Sequence, residues 1–189
     1  MLTFFIIFSV LFCVFVSFPY IRILLKRIKL RFVVINVCKK RGFKLVPAHK
    51  LWFLGNNKGD ICDFYIETPS IVYSVKLYSV KKKGSQLIFK DDGTFFVRNF
   101  VAIPSTIGQP IRIPIDKKIS SAPSPDFLYK FQDEWYLKEN KRVLLINPTC
   151  REVKREDFNM RSQDIGSGDT VNGIFIYTLS RFTNHIENL

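Results

Sequence analysis

Residues 63–78 read DFYIETPSIVYSVKLY, and the fold class turns on how this stretch is read. Apolar and polar side chains alternate at period two in both of its halves. Phe64 and Ile66 fall on one face, with Asp63, Tyr65 and Glu67 on the other. After turn residues at Thr68, Pro69 and Ser70, residues 72–78 place Tyr73, Val75 and Leu77 toward a core and Ser74, Lys76 and Tyr78 away from it. Two antiparallel strands with one packed face and one wet face are the expectation.

Toward the C-terminus the same punctuation continues. Lys81, Lys82, Lys83 and Gly84 read as a solvated hairpin turn, with strands at 86–90 and 94–100 on either side of the turn at Asp91, Asp92 and Gly93. Residues 111–115 alternate but include Pro114, so they form at most an edge strand. Asp126 is an N-cap for a helix over 127–138, with Phe127, Leu128, Phe131 and Trp135 on one side. Residues 143–146 (VLLI) predict a short strand, apolar on both faces and central in its sheet. The charged stretch 151–169 reads as loop. A strand over 171–178 and a short helix over 179–188 complete the chain.

Toward the N-terminus the character changes. Residues 1–21, MLTFFIIFSVLFCVFVSFPYI, contain no charge. A helix of that length rises about 31 Å, near the roughly 30 Å hydrocarbon thickness of a bilayer. A cleaved signal peptide calls for a basic start and a small-residue cleavage site; neither is present around Val16, Ser17 and Phe18. A transmembrane helix over 1–21 is therefore expected. A basic helix over 22–42 follows, with Ile21, Leu24, Leu25, Ile28, Phe32 and Ile35 as its apolar stripe and Gly42 closing it. The soluble domain then spans 43–189. The fold class expected is α+β (mixed α/β), in the order helix, three or four antiparallel strands, helix, strand, strand, helix.

Charge placement sharpens this reading. The formal net charge is +13, yet eleven of the 29 basic residues precede the first acidic residue, Asp60. The remainder holds 18 basic against 16 acidic residues and is close to neutral, so the overall basicity is no evidence for nucleic-acid binding. Five Lys or Arg between Arg22 and Arg31 place the domain on the cytoplasmic side of a plasma membrane, with the N-terminus outside. Four isolated cysteines without a CxxC spacing fit buried thiols in a reducing compartment. The two histidines, His49 and His185, belong to no metal-binding motif.

The strand order, with Asp63 on one strand and Ser74, Val75 and Lys76 on the next, resembles the PD-(D/E)xK nuclease core, an αβββαβ unit. By that resemblance Asp63 would correspond to the first metal-binding acid and Lys76 to the lysine. Glu67 would supply a second carboxylate, because Ser74 stands where the family has an acid. It implies Mg²⁺ as cofactor and a nucleic acid as substrate. On the residues alone, Asp63, Glu67, Ser74 and Lys76 line a solvated sheet face and pair across strands. Gly166, Ser167, Gly168 and Asp169 read as a turn rather than a phosphate loop. Trp52 and Trp135 read as core or boundary residues. The resulting expectation is a single-pass membrane protein with membrane lipid and a protein as partners and no cofactor. Its domain has an interaction or structural role; a tethered, degenerate nuclease-like domain is the alternative.

Overall fold

The computed structural model describes residues 2–55, 62–80, 84–91, 94–104, 109, 111–119, 135, 137–147, 150–157, 159 and 161–189, without the side chains of 2–19 and 119. One helix, α1 (Leu2–Arg41), leads into strands β1 (Lys44–Pro47), β2 (Phe64–Glu67), β3 (Ile71–Tyr78), β4 (Gln86–Lys90), β5 (Phe95–Ile103) and β6 (Ile111–Ile119). Then come β7 (Glu139–Ile146), β8 (Glu152–Glu156), β9 (Ser162–Asp164), β10 (Thr170–Val171), β11 (Ile174–Thr178) and the helix α2 (Leu179–Glu187). A single 3₁₀ turn spans Trp52–Leu54.

The strands form two sheets. The first has the order β1-β2-β3-β7-β11-β10 and the second the order β6-β5-β4-β8-β9. Strand β7 runs parallel to both β3 and β11, while β1, β2 and β3 form an antiparallel meander. The helices cover one face of the first sheet. Leu30, Val34, Val37 and Cys38 of α1 and Phe182 and Ile186 of α2 share a core with Phe64, Tyr73, Val75 and Leu145. The second sheet covers the other face, where Leu87, Phe89 and Phe95 meet Leu144, Ile146 and Ile176. The layering is helices, sheet, sheet.

The fold is α+β as expected, but its composition and order are corrected. It is rich in strands, eleven in two sheets with two α-helices among the described residues, instead of the order helix, three or four antiparallel strands, helix, strand, strand, helix. Nor does it bear out the transmembrane helix expected over 1–21: among the described residues no helix is long and apolar enough to cross a membrane. The helix expected over 127–138 falls mostly outside the described residues. Its Trp135 is buried, against Tyr65, Cys62 and Val72.

Other departures have identifiable causes. Strands β3 and β4 lie in different sheets and do not form the hairpin expected around the lysine run; Lys81, Lys82 and Lys83 themselves lie outside the described residues. The stretch read as charged loop contains β8 and β9, because alternating charges satisfy one another along the strands. Lys154 bonds Glu152 and Asp164, and Arg155 bonds Asp91. The strand expected over 171–178 is broken by Asn172 and Gly173, whose φ angles of 51° and 72° build the two-residue turn between β10 and β11. An Asn-Gly pair is the commonest sequence for such a turn.

The buried stripe of α1 also differs from the expected one. Arg27, Leu30, Val34, Val37 and Cys38 face the sheet, while Leu24, Leu25 and Phe32 are exposed. Apolar residues surround this helix on several sides, so periodicity alone admits more than one stripe. The helix ends where expected: Gly42 has φ 69°, and the Phe43 N–H returns to the Cys38 carbonyl at 2.9 Å.

Candidate functional site

Strand β2 begins at Phe64, yet the ladder along β3 is carried one residue further by Asp63. The Asp63 N–H donates to the Val75 carbonyl at 2.9 Å, and Asp63 Oδ2 accepts from the Leu77 N–H at 2.7 Å. The carboxylate thus takes the place of the next backbone acceptor. Its other oxygen, Oδ1, lies 3.4 Å from His49 Nε2. The side chain is fully buried, which overturns the wet face expected for Asp63, Ser74 and Lys76. Both faces of this sheet are covered, and Ser74 and Lys76 are 0% and 8% exposed. Alternation assigned the correct side to each residue; that side is covered by the second sheet at Tyr78 and by Trp135 at Tyr65 and Val72, and neither has a signal in residues 63–78.

Of the three residues singled out for chemistry, two come together. Asp63 and Lys76 both act on the Cys62 thiol, with burial the largest cause and upward. The carboxylate also raises its pKa, and the ammonium lowers it. Cys62 is therefore a protonated, inert thiol. Glu67 sits at the far end of β2, opposite Lys44 in register. Its Oε1 accepts from Lys138 Nζ at 2.7 Å, and Lys44 lies 3.5 Å from Oε2. The Lys138 bond holds the Glu67 carboxyl below the ordinary carboxylate range. Ser74 donates to Asn140 Oδ1 at 3.0 Å. Among the described residues no group of three or more His, Cys, Asp or Glu side chains could hold a metal ion.

The sequence gives no hint that one basic residue of α1 is buried against the strands. Arg27 is 1% exposed. Its Nε donates to Ser79 Oγ at 2.9 Å, with Nη2 on the same oxygen, and Ser79 Oγ donates to the Asn147 carbonyl at 2.9 Å. Asn147 Nδ2 returns to the Lys26 carbonyl at 3.2 Å. These contacts pin α1 to the carboxyl ends of β3 and β7. Burial lowers the Arg27 pKa from 12.5 to about 10, against the opposing pull of Asp63. Gly55 completes the enclosure: with φ 71°, a Cβ there would lie 2.9 Å from Arg27 Nη1 and 3.2 Å from Leu77 Cβ. A guanidinium within a run of basic residues reads as solvated, so no pattern marks Arg27 as buried.

A cleft of about 280 Å³ opens at the carboxyl ends of β7 and β11, between apolar Ile146, Val153 and Ile176 and the hydroxyls of Ser167 and Thr178. The turn expected at Gly166–Asp169 is present and closed by its own aspartate, since the Gly166 N–H donates to Asp169 Oδ2 at 2.6 Å. Trp52 and Trp135 are core residues, as expected.

Buried acids of another kind set an alkaline limit. Burial pushes the Cys38 thiol from 9.0 up to about 11 and the Tyr73 and Tyr78 phenols from 10.0 up to about 12. The folded chain therefore holds these protons more tightly than the unfolded chain. Their contribution is fully present below pH 9 and is lost as pH rises through 11 to 12. Arg27, whose pKa is lowered, contributes the opposite slope above pH 10, one group against several. The urea midpoint is expected to fall continuously between pH 9 and 11, and Cys38→Ala should flatten that fall. A midpoint constant over this range would contradict the assignment.

No protein-family model, curated protein or solved structure matches the chain. The site's meaning must come from its own geometry. The Asp63 carboxylate caps the ladder between β2 and β3, and the buried Arg27, with Gly55 packed against it, fastens α1 to the ends of β3 and β7 through Ser79 and Asn147.

Proposed function

We propose that this chain is a membrane-anchored protein whose α+β domain has an interaction or structural role at the bilayer surface. One observation carries the reading: α1 continues without a break from the uncharged residues into the domain, where Leu30, Val34, Val37 and Cys38 are buried. Anything that holds residues 1–21 therefore holds the domain at a fixed height and orientation. The absence of charge over those residues supports lipid as what holds them. The cations from Arg22 to Arg31 support the cytoplasmic side. The commitments of Asp63 to the Leu77 N–H and of Glu67 to Lys138 support a structural use of these carboxylates over a nuclease-like one.

The full chain is expected to stay with membranes through an alkaline carbonate wash, and removal of residues 1–21 should move it to the supernatant. An intact chain that washes free overturns the reading. In the same preparation, a Mg²⁺ titration followed by Trp fluorescence should not distinguish wild type from Asp63→Asn. An Asp63-dependent Mg²⁺ site with cleavage of DNA or RNA would put the nuclease-like alternative in its place.

A further inference from the structure

Strands β5 and β6 pair over nine positions each, from Phe95↔Ile119 to Ile103↔Ile111, but β4 accompanies β5 only as far as Gln86↔Arg98. The five pairs from Asn99↔Ile115 to Ile103↔Ile111 form a two-stranded ribbon beyond the sheet, roughly 15 Å long at strand rise. Val101, Ile103, Ile111, Ile113 and Ile115 share one face of it and are 41–58% exposed. A ribbon of two strands has little stability of its own in water, and a contiguous apolar face of this kind marks a contact surface.

The connections fix its direction. Lys26 and Arg27 of α1 are tied to residues just past the ends of β7 and β3, and Leu30, Val34 and Val37 follow along the sheet. Residues before 26 therefore leave the domain at the carboxyl edge of those strands. Only a short connection separates the end of β7 from β8, so β8 begins at that edge. Strand β4 is parallel to β8 and β5 antiparallel to β4, so β5 runs toward the same edge and the ribbon projects there. Helix α1 and the ribbon therefore leave the domain at the same edge, from its two outer layers.

The ribbon's charge narrows the choice of occupant. Arg112, Lys117 and Lys118 are exposed on β6, and Arg22, Lys29 and Arg31 are exposed on α1. Asp116 is engaged by Arg98 through Nε at 2.8 Å. Pro114 removes a donor from the edge strand and works against strand addition by another chain. Aliphatic side chains backed by cations match an acyl boundary with anionic headgroups. We propose that residues 99–103 and 111–115 dip into the interface of the bilayer that holds α1, as a second, shallow lipid contact. This rests on the anchoring reading above.

The test uses the full chain in vesicles of phosphatidylcholine and phosphatidylglycerol. Ile113→Trp is compared with Leu137→Trp, which lies at the opposite edge of the domain and is 93% exposed; the wild-type signal is subtracted from each. Brominated phosphatidylcholine is expected to quench the residue at 113 at least about threefold more than that at 137, with bromine near the headgroups the more effective. Charge reversal by Lys117→Glu with Lys118→Glu should reduce the quenching. A wild-type chain that does not float with the vesicles defeats anchoring, and this proposal with it. A chain that floats while the residue at 113 stays unquenched and open to iodide defeats the ribbon contact alone. Shielding of 113 that is independent of brominated lipid and accompanied by cross-linking between copies replaces lipid with a second copy of the chain.

Discussion

Asp63→Ala should destabilise the domain by about 3–5 kcal/mol, the range for removing one partner from a buried charged arrangement. Two losses combine. The Leu77 N–H, bonded at 2.7 Å to Asp63 Oδ2, would be left without its acceptor inside the sheet. Arg27, 1% exposed, would lose the carboxylate whose charge opposes the effect of its burial. Asp63→Asn keeps an acceptor and removes only the charge, so roughly half the loss is expected. Arg27→Met, added to Asp63→Asn, should recover part of it, with a coupling above about 1 kcal/mol in the double-mutant cycle. Urea unfolding of the detergent-solubilised chain gives every value in the cycle. Additive effects at the two sites would show that Asp63 and Arg27 do not work together.

Phe182→Ala should cost about 3–5 kcal/mol, as other buried aromatic truncations do. Phe182 is 0% exposed and lies between two tyrosines, its ring centroid 6.3 Å from Tyr73 and 5.6 Å from Tyr177. It also meets Val34 and Val37 of α1 across a narrow space shared with Ile66. The cavity would therefore open at the place where the two helices and the sheet converge, and backbone relaxation there is limited by contacts on three sides. Phe182→Leu should lose about half as much. Hydrogen exchange would locate the damage: amides of α2 and residues 30–38 should lose protection before those of β4 and β5. Uniform loss across both sheets would mean that Phe182 does not fasten the helix layer.

How far the sequence could be read depends on the range of the cause. Alternation over residues 63–78 assigned strands and faces correctly, because side-chain direction is a property of each strand alone. The VLLI run at 143–146 is central in its sheet, parallel to strands on both sides, since only a strand covered on both faces tolerates such a run. The Gly42 helix end was equally local. Partner choice was not. Nothing in β3 states that β4 will leave for another sheet, and charges on β8 and β9 look like loop until their cross-strand partners are known. The site follows the same division. Asp63 and Lys76 were placed on one side of the sheet by pattern, whereas Arg27, Ser79 and Asn147 meet from three separate segments. The burial of that side depends on the second sheet and on Trp135, whose approach has no trace in residues 63–78.

The packing of α1 against α2 also bears on how the chain matures. Val34 and Val37 are made well before Phe182 and Ile186, which form part of their cover. During elongation the sheet-facing side of α1 must wait, greasy and unpaired, while the strands between are added. With so many pairings between distant segments, closure is slow once α2 arrives. An unfolded α2 would leave that side open to holding factors and proteases, and loss of α2 should shorten the lifetime of the chain in a cell.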